Sequence, residues 1–186
     1  MNMEEFRKKL MEYNEPISIG INTSLGKYVD TIKLVMEEFT VKKNIYLIYI
    51  SATIPSNSIS NILEIYGIGE NRVFYVDCIS HLMMNISELK KNAVYVESPT
   101  MLENIMLKTQ YILKKNVKDI AVVVIDSINS LAIHNDMKIL SEFLHLFVTL
   151  LRSRNSYLIT LSIREQSNQE INSIINFVSD EFLEVD

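Results

Sequence analysis

Short apolar segments alternate along this chain with segments whose hydrophobic residues recur every three or four positions. Residues 16–21 (PISIGI), 44–51 (NIYLIYIS), 72–77 (RVFYVD) and 119–126 (DIAVVVID) are rich in β-branched and aromatic side chains and apolar on both faces, which predicts buried strands. Residues 92–98 (NAVYVES), 156–163 (SYLITLSI) and 181–186 (EFLEVD) carry weaker versions of the same signal. Between them, Leu25, Tyr28, Val29, Ile32, Val35, Met36 and Phe39 fall at helical spacing, and so do the apolar positions of residues 101–115 and 137–152. Residues 56–68 (SNSISNILEIYGI) predict a shorter capped helix.

Doubly buried strands separated by amphipathic helices imply a parallel sheet covered on both faces. The expectation is therefore an α/β fold in three αβα layers around a mostly parallel sheet. It places one domain over residues 1–186, with an N-terminal helix in 1–14 and the core in 15–186. In such sheets ligands bind past the carboxyl ends of the strands, so the residues that follow each strand are the ones to weigh.

The first strand is followed by Asn22-Thr23-Ser24-Leu25-Gly26-Lys27-Tyr28. A phosphate loop has the spacing G-x-x-x-x-G-K-[ST]: backbone amides wrap the phosphates, the lysine reaches the outer oxygens and the hydroxyl ligates Mg²⁺. Gly26 and Lys27 match, but Ile21 stands at the first glycine and Tyr28 at the hydroxyl, while Gly20 comes one residue early. A branched side chain at position 21 resists a positive φ, and a phenol is no substitute for an aliphatic hydroxyl on magnesium. An ordinary strand-to-helix turn containing Gly-Lys is the competing reading.

Asp126 ends the most apolar strand in the manner of a Walker B carboxylate, which holds Mg²⁺ together with the loop hydroxyl. Its competing role is to cap the helix that follows. Past the second strand, residues 51–61 contain no carboxylate to polarise an attacking water. Glu64 reads as a surface charge. Asp77 is a cap or a site residue, and Ser162, Arg164, Glu165 and Gln166 read as a solvated loop that lies where a γ-phosphate or a neighbouring subunit would approach. His81, His134 and His145 are scattered without metal or triad spacing, and Met83 and Met84 read as filler.

Composition narrows the classes. With 48% hydrophobic and 22% charged residues the 186-residue chain has the balance of a soluble globular protein, and no apolar run approaches the roughly 18–20 residues of a membrane span. A net charge of −5 argues against nucleic acid as a partner. Cys78, the only cysteine, allows no internal disulfide and fits a cytoplasmic location.

Taken together, the Gly26-Lys27 helix, VFYVD, residues 121–136 (AVVVIDSINSLAIHND), residues 140–163 and the closing NFVSDEFLEVD resemble the RecA/KaiC-type P-loop ATPases, most of all a divergent archaeal branch associated with signal transduction. The resemblance spans nearly the whole chain and is specific in its second half. It implies a RecA-like core that binds ATP through Ser24, Gly26, Lys27, Tyr28 and Asp126, with Mg²⁺ on Asp126 where nucleotide binds, often between subunits of a ring. The departures are the first loop glycine, the metal-binding hydroxyl, the carboxylates after the second strand, and the β-hairpins that the family carries beyond the position of Asp186. An ATPase works almost wholly by positioning and electrostatics, so such losses remove most of its rate. The expected function is a non-catalytic domain that binds a protein, either another copy or an active relative. An ATP-binding switch without turnover is the alternative, and an active ATPase using Asp77 or Glu165 the third reading.

Overall fold

The computed structural model describes residues 1–83 and 90–186. Among the described residues, seven strands form one sheet in which every neighbouring pair is parallel, in the order β4-β3-β2-β5-β6-β1-β7. The strands are β1 (Ser18–Thr23), β2 (Tyr46–Ser51), β3 (Val73–Asp77), β4 (Ala93–Tyr95), β5 (Ala121–Asp126), β6 (Tyr157–Ile163) and β7 (Glu181–Val185). All seven expected strands are present. Their polar ends fall together at one edge because the sheet is wholly parallel.

Helices α1 (Met3–Glu12), α2 (Tyr28–Met36) and α3 (Ser56–Ile65) cover one face; α4 (Leu102–Asn116), α5 (Ile128–His134), α6 (Met137–Ser153) and α7 (Gln169–Val178) cover the other. Each face has its own apolar core. Alternation along β5 sends Val122 and Val124 into the first and Val123 and Ile125 into the second. By the same alternation Asp126 projects toward α2.

Local chemistry accounts for the helix starts. Asn2 and Glu5 form a reciprocal capping box on α1, and Ser127, Asp136 and Asn168 accept backbone N–H groups at the starts of α5, α6 and α7. Helix α3 follows Pro55 without a cap of its own, and Asp77 supplies one from β3.

Three expectations need correction. β1 runs on to Thr23, two residues past its expected end at Ile21, so the position of the first loop glycine lies inside a strand, paired with Leu161 and Leu183. The helix expected from Leu25 begins at Tyr28, after a 3-10 turn at Leu25–Lys27. Helices α5 and α7 have no counterpart among the expected elements. The first has seven residues, too few to show a period, and the second follows directly on a polar loop. Met84 lies outside the described residues.

Candidate functional site

The carboxyl ends of β1, β2, β5 and β6 converge on a buried carboxylate. Asp126 is fully buried. The Tyr28 hydroxyl, delivered by the first residue of α2, lies 2.5 Å from each of its oxygens. Tyr49, from the neighbouring strand β2, donates to Oδ2, and the Thr53 hydroxyl approaches Oδ1 at 3.4 Å. The Asp126 carbonyl accepts the Ala52 and Thr53 amides at 2.7 and 3.1 Å, which ties the β2 turn to β5.

Burial drives the Asp126 carboxyl up to about 6, against the opposing pull of the bonds from Tyr28, Tyr49 and Thr53. The two phenols are pushed well above their ordinary range, first by burial and then by the Asp126 charge. They stay protonated and act as donors.

The turn before α2 is short, and most of its amides are bonded within the chain. Ser24 N–H donates to Val185 O at 3.3 Å, Leu25 N–H to Glu165 Oε2 at 2.9 Å, Lys27 N–H to Ser24 O at 2.9 Å, and Tyr28 N–H to Leu25 O. The Ser24 side chain makes no cap bond. Gly26 has no positive φ, and a Cβ there meets nothing within 4 Å. Lys27 is 43% exposed and 3.7 Å from Asp30 in the first turn of α2.

Of the predicted residues, Tyr28 and Asp126 are thus brought into contact, while Ser24, Gly26 and Lys27 remain at the surface turn. Magnesium and a polyphosphate do not fit this arrangement: a phenol stands against both oxygens that would hold the metal, and the amides of Ser24, Leu25, Lys27 and Tyr28 already have acceptors within the chain.

The other acids at this edge have structural work. Asp77 is buried and accepts the Ser56 and Ser80 amides at 2.8 and 2.9 Å, the Ile79 amide at 3.1 Å and the Ser80 hydroxyl at 2.7 Å. Burial raises its carboxyl, and the Ser56 and Ser80 bonds outweigh that and leave it below its ordinary value. Ser162 bonds Asn22 and Ile21 O beneath β1. Tyr49 and Thr53 are site residues that the sequence pattern did not single out. A signal was available, since a tyrosine in a doubly apolar strand needs a partner for its hydroxyl. Among the described residues no group of three or more His, Cys, Asp or Glu is placed to hold a metal ion, and no helix is long and apolar enough to cross a membrane.

The fold is of the RecA/KaiC type, shared with solved KaiC-like structures. The chain superposes on a KaiC-like protein, PH0186, of Pyrococcus horikoshii OT3 (TM-score 0.60, 15% identity, 91% of this chain and 72% of that one). It superposes equally on the flagellar accessory protein FlaH of Methanocaldococcus jannaschii (0.59, 14%, 95% and 75%). A third solved structure, the uncharacterised protein PH0321 of P. horikoshii in complex with an unknown peptide, gives 0.67 at 12% identity over 97% and 82%. No family model and no curated protein matches the chain. At these identities the likeness is one of fold.

Proposed function

We propose that this chain is a non-catalytic protein of RecA/KaiC-type fold that works by binding a protein partner, in signalling or in assembly with an active relative. One observation carries the reading: the Tyr28 phenol is hydrogen-bonded to both oxygens of Asp126, where the fold's metal chemistry needs an open carboxylate and a small hydroxyl. A metal ion entering here has to displace a buried aromatic ring. The absence of an acid after β2 works in the same direction, because Thr53 there bonds Ser130 at 2.9 Å and Asp126 and offers no base. Support for a protein partner comes from PH0321, whose structure holds a peptide.

Purified protein is expected to turn over ATP more slowly than about 0.1 s⁻¹, below the usual span of enzymes. Faster turnover that disappears in Lys27→Ala overturns the proposal.

Lys27 favours a second reading. It is half-exposed and loosely paired, free to meet an anion, so an ATP-responsive switch without hydrolysis would use it. Thermal unfolding with Mg-ATP separates the two readings. A ligand at about 100 times its Kd adds roughly 2.7 kcal/mol, whereas the partner-binding reading expects no shift at millimolar ATP.

A further inference from the structure

Helix α6 turns Phe143, Leu144 and Phe147 into the second core and leaves apolar side chains on its outer side as well. Ile139 and Leu146 stand out there at 56% and 59% exposure, seven residues apart on one stripe. Phe177, near the end of the neighbouring α7, is 74% exposed. A groove of about 510 Å³ lies between Leu146 and Phe177, lined also by Ser141, Glu142 and His145, with the His145 ring tilted on Phe177 at a centroid distance of 6.0 Å. Exposed apolar side chains gathered around one groove mark a contact surface.

The arrangement of the groove selects its occupant. At 3.6 residues per turn, Glu142 and His145 lie on either side of one outward line down α6, and Ser141 and Leu146 lie farther out on either side of the same line. A two-fold axis through the midpoint of the four exchanges position 142 with 145 and position 141 with 146. Two copies of α6 packed antiparallel about that axis set the Glu142 carboxylate of each against the His145 ring N–H of the other. Leu146 of each then falls over Ser141 of the other, beside Phe177. The next outward positions, Lys138 and Thr149, exchange in the same way, so no like charges meet near the axis. Every contact is made twice, as an isologous interface requires. Helix α4 makes the contrast. It exposes Leu107 and Tyr111 too, but among Lys108, Lys114 and Lys115, and two such surfaces repel.

We propose that this face of α6 and α7 is a two-fold interface between two copies of the chain. Phe177 and Leu146 are its apolar anchors, and the reciprocal Glu142–His145 pairs set its register. The inference rests on the partner-binding reading and deepens it by naming the face and the partner. The surface is built on the helices of the second face and leaves Tyr28 and Asp126 as they are. With its 17 residues α6 runs about 25 Å, so the contact belongs to the small end of specific interfaces and its affinity to the micromolar range.

Sedimentation equilibrium of the full chain, from about 1 μM to about 1 mM, is the test. Wild type is expected to pass from one chain to two across that span. All substituted positions are exposed, and an unchanged circular dichroism spectrum checks that each variant is folded. Phe177→Gln removes an anchor from both halves and is expected to weaken the dimer at least about tenfold. His145→Glu opposes two carboxylates twice and is expected to do the same. The double variant Glu142→Lys/His145→Glu reverses the pair and is expected to return to within about threefold of wild type, a recovery that only the 142-to-145 exchange supplies.

The inference is overturned if Phe177→Gln dimerises as wild type does, or if the double variant is no tighter than His145→Glu. A wild type that stays monomeric throughout also overturns it, leaving the face to a different protein and the non-catalytic reading intact. ATP turnover by wild type overturns that reading itself, whatever the mass of the particle.

Discussion

The hydroxyl of Tyr28 lies within 2.5 Å of both carboxylate oxygens of Asp126, across the width of the intervening strand β6. A fully buried carboxylate depends on such donors, because an unsatisfied buried acceptor carries its whole desolvation cost. Tyr28→Phe keeps the ring and removes only the donor. It is expected to destabilise the fold by about 1–3 kcal/mol, read as a lower denaturant midpoint at an unchanged slope. An unmoved midpoint would show that Asp126 does not rely on the phenol.

The same carboxylate makes stability depend on pH in an unusual direction. Its value in the fold is raised from 3.8 to about 6, so between these values the folded state binds more protons than the unfolded one. Stability from this group is greatest below pH 4 and declines as pH rises toward 6, by about 3 kcal/mol for a shift of this size. Asp77, whose carboxyl is lowered in the fold, acts in the opposite sense and only as pH falls below its unfolded value of 3.8. Between pH 5 and 6.5 the Asp126 effect stands nearly alone. Unfolding measured across that window is expected to show stability falling with pH in wild type and flat in Asp126→Asn. An equal slope in both would assign the dependence elsewhere.

Lys27 and Gly26 match the phosphate-loop pattern in sequence and have little to hold in the structure. Lys27 makes one long ion pair, to Asp30 in the first turn of α2, of a kind worth roughly 0–1 kcal/mol at a surface. Lys27→Ala and Gly26→Ala are each expected to move stability by less than about 0.5 kcal/mol. For Gly26 the reason is geometric: its φ suits any residue and a Cβ points into open space. A loss of more than about 1 kcal/mol in either would mean the turn carries a load the hydrogen bonds do not reveal.

What the sequence disclosed follows from the range of each signal. The strands were legible because their apolar runs are local and their parallel order follows from double burial, and so the residue pattern alone places Asp126 at a strand end. Tyr28 was legible as a mismatch but not as a partner of Asp126, since that contact joins residues 98 positions apart. Glu165 illustrates the same limit. It lies 140 positions from Leu25, in a loop whose sequence reads as solvated, and only the adjacency of β1 and β6 brings its carboxylate onto the turn. The end of β1 was set two residues early for a local reason: Asn22 and Thr23 are polar and suggest a loop, yet both are buried strand residues satisfied by Ser162 and Thr31.

Gly20 tests that corrected boundary. In a phosphate loop displaced by one residue it would supply backbone freedom, and alanine would then interfere chiefly with ligand binding. In the structure it sits in the middle of β1 under α7, where a Cβ would lie 2.5 Å from Ile175 Cγ2, 2.8 Å from Phe182 Cδ2 and 2.9 Å from Ser179 Oγ. Two opposing effects set the outcome of Gly20→Ala. Restricting the unfolded chain stabilises by about 0.4–1 kcal/mol, whereas forcing a methyl group into a packed interface costs about 1–3 kcal/mol. Ile175 is fully buried in the second core and cannot swing away without moving α7, so overpacking wins. The expected result is a net loss of about 1–2 kcal/mol in unfolding free energy, recovered in part when Ile175→Leu removes the opposing Cγ2 methyl group. A Gly20→Ala protein as stable as wild type, or one that Ile175→Leu does not rescue, would show that the contact with α7 is not what requires a glycine there.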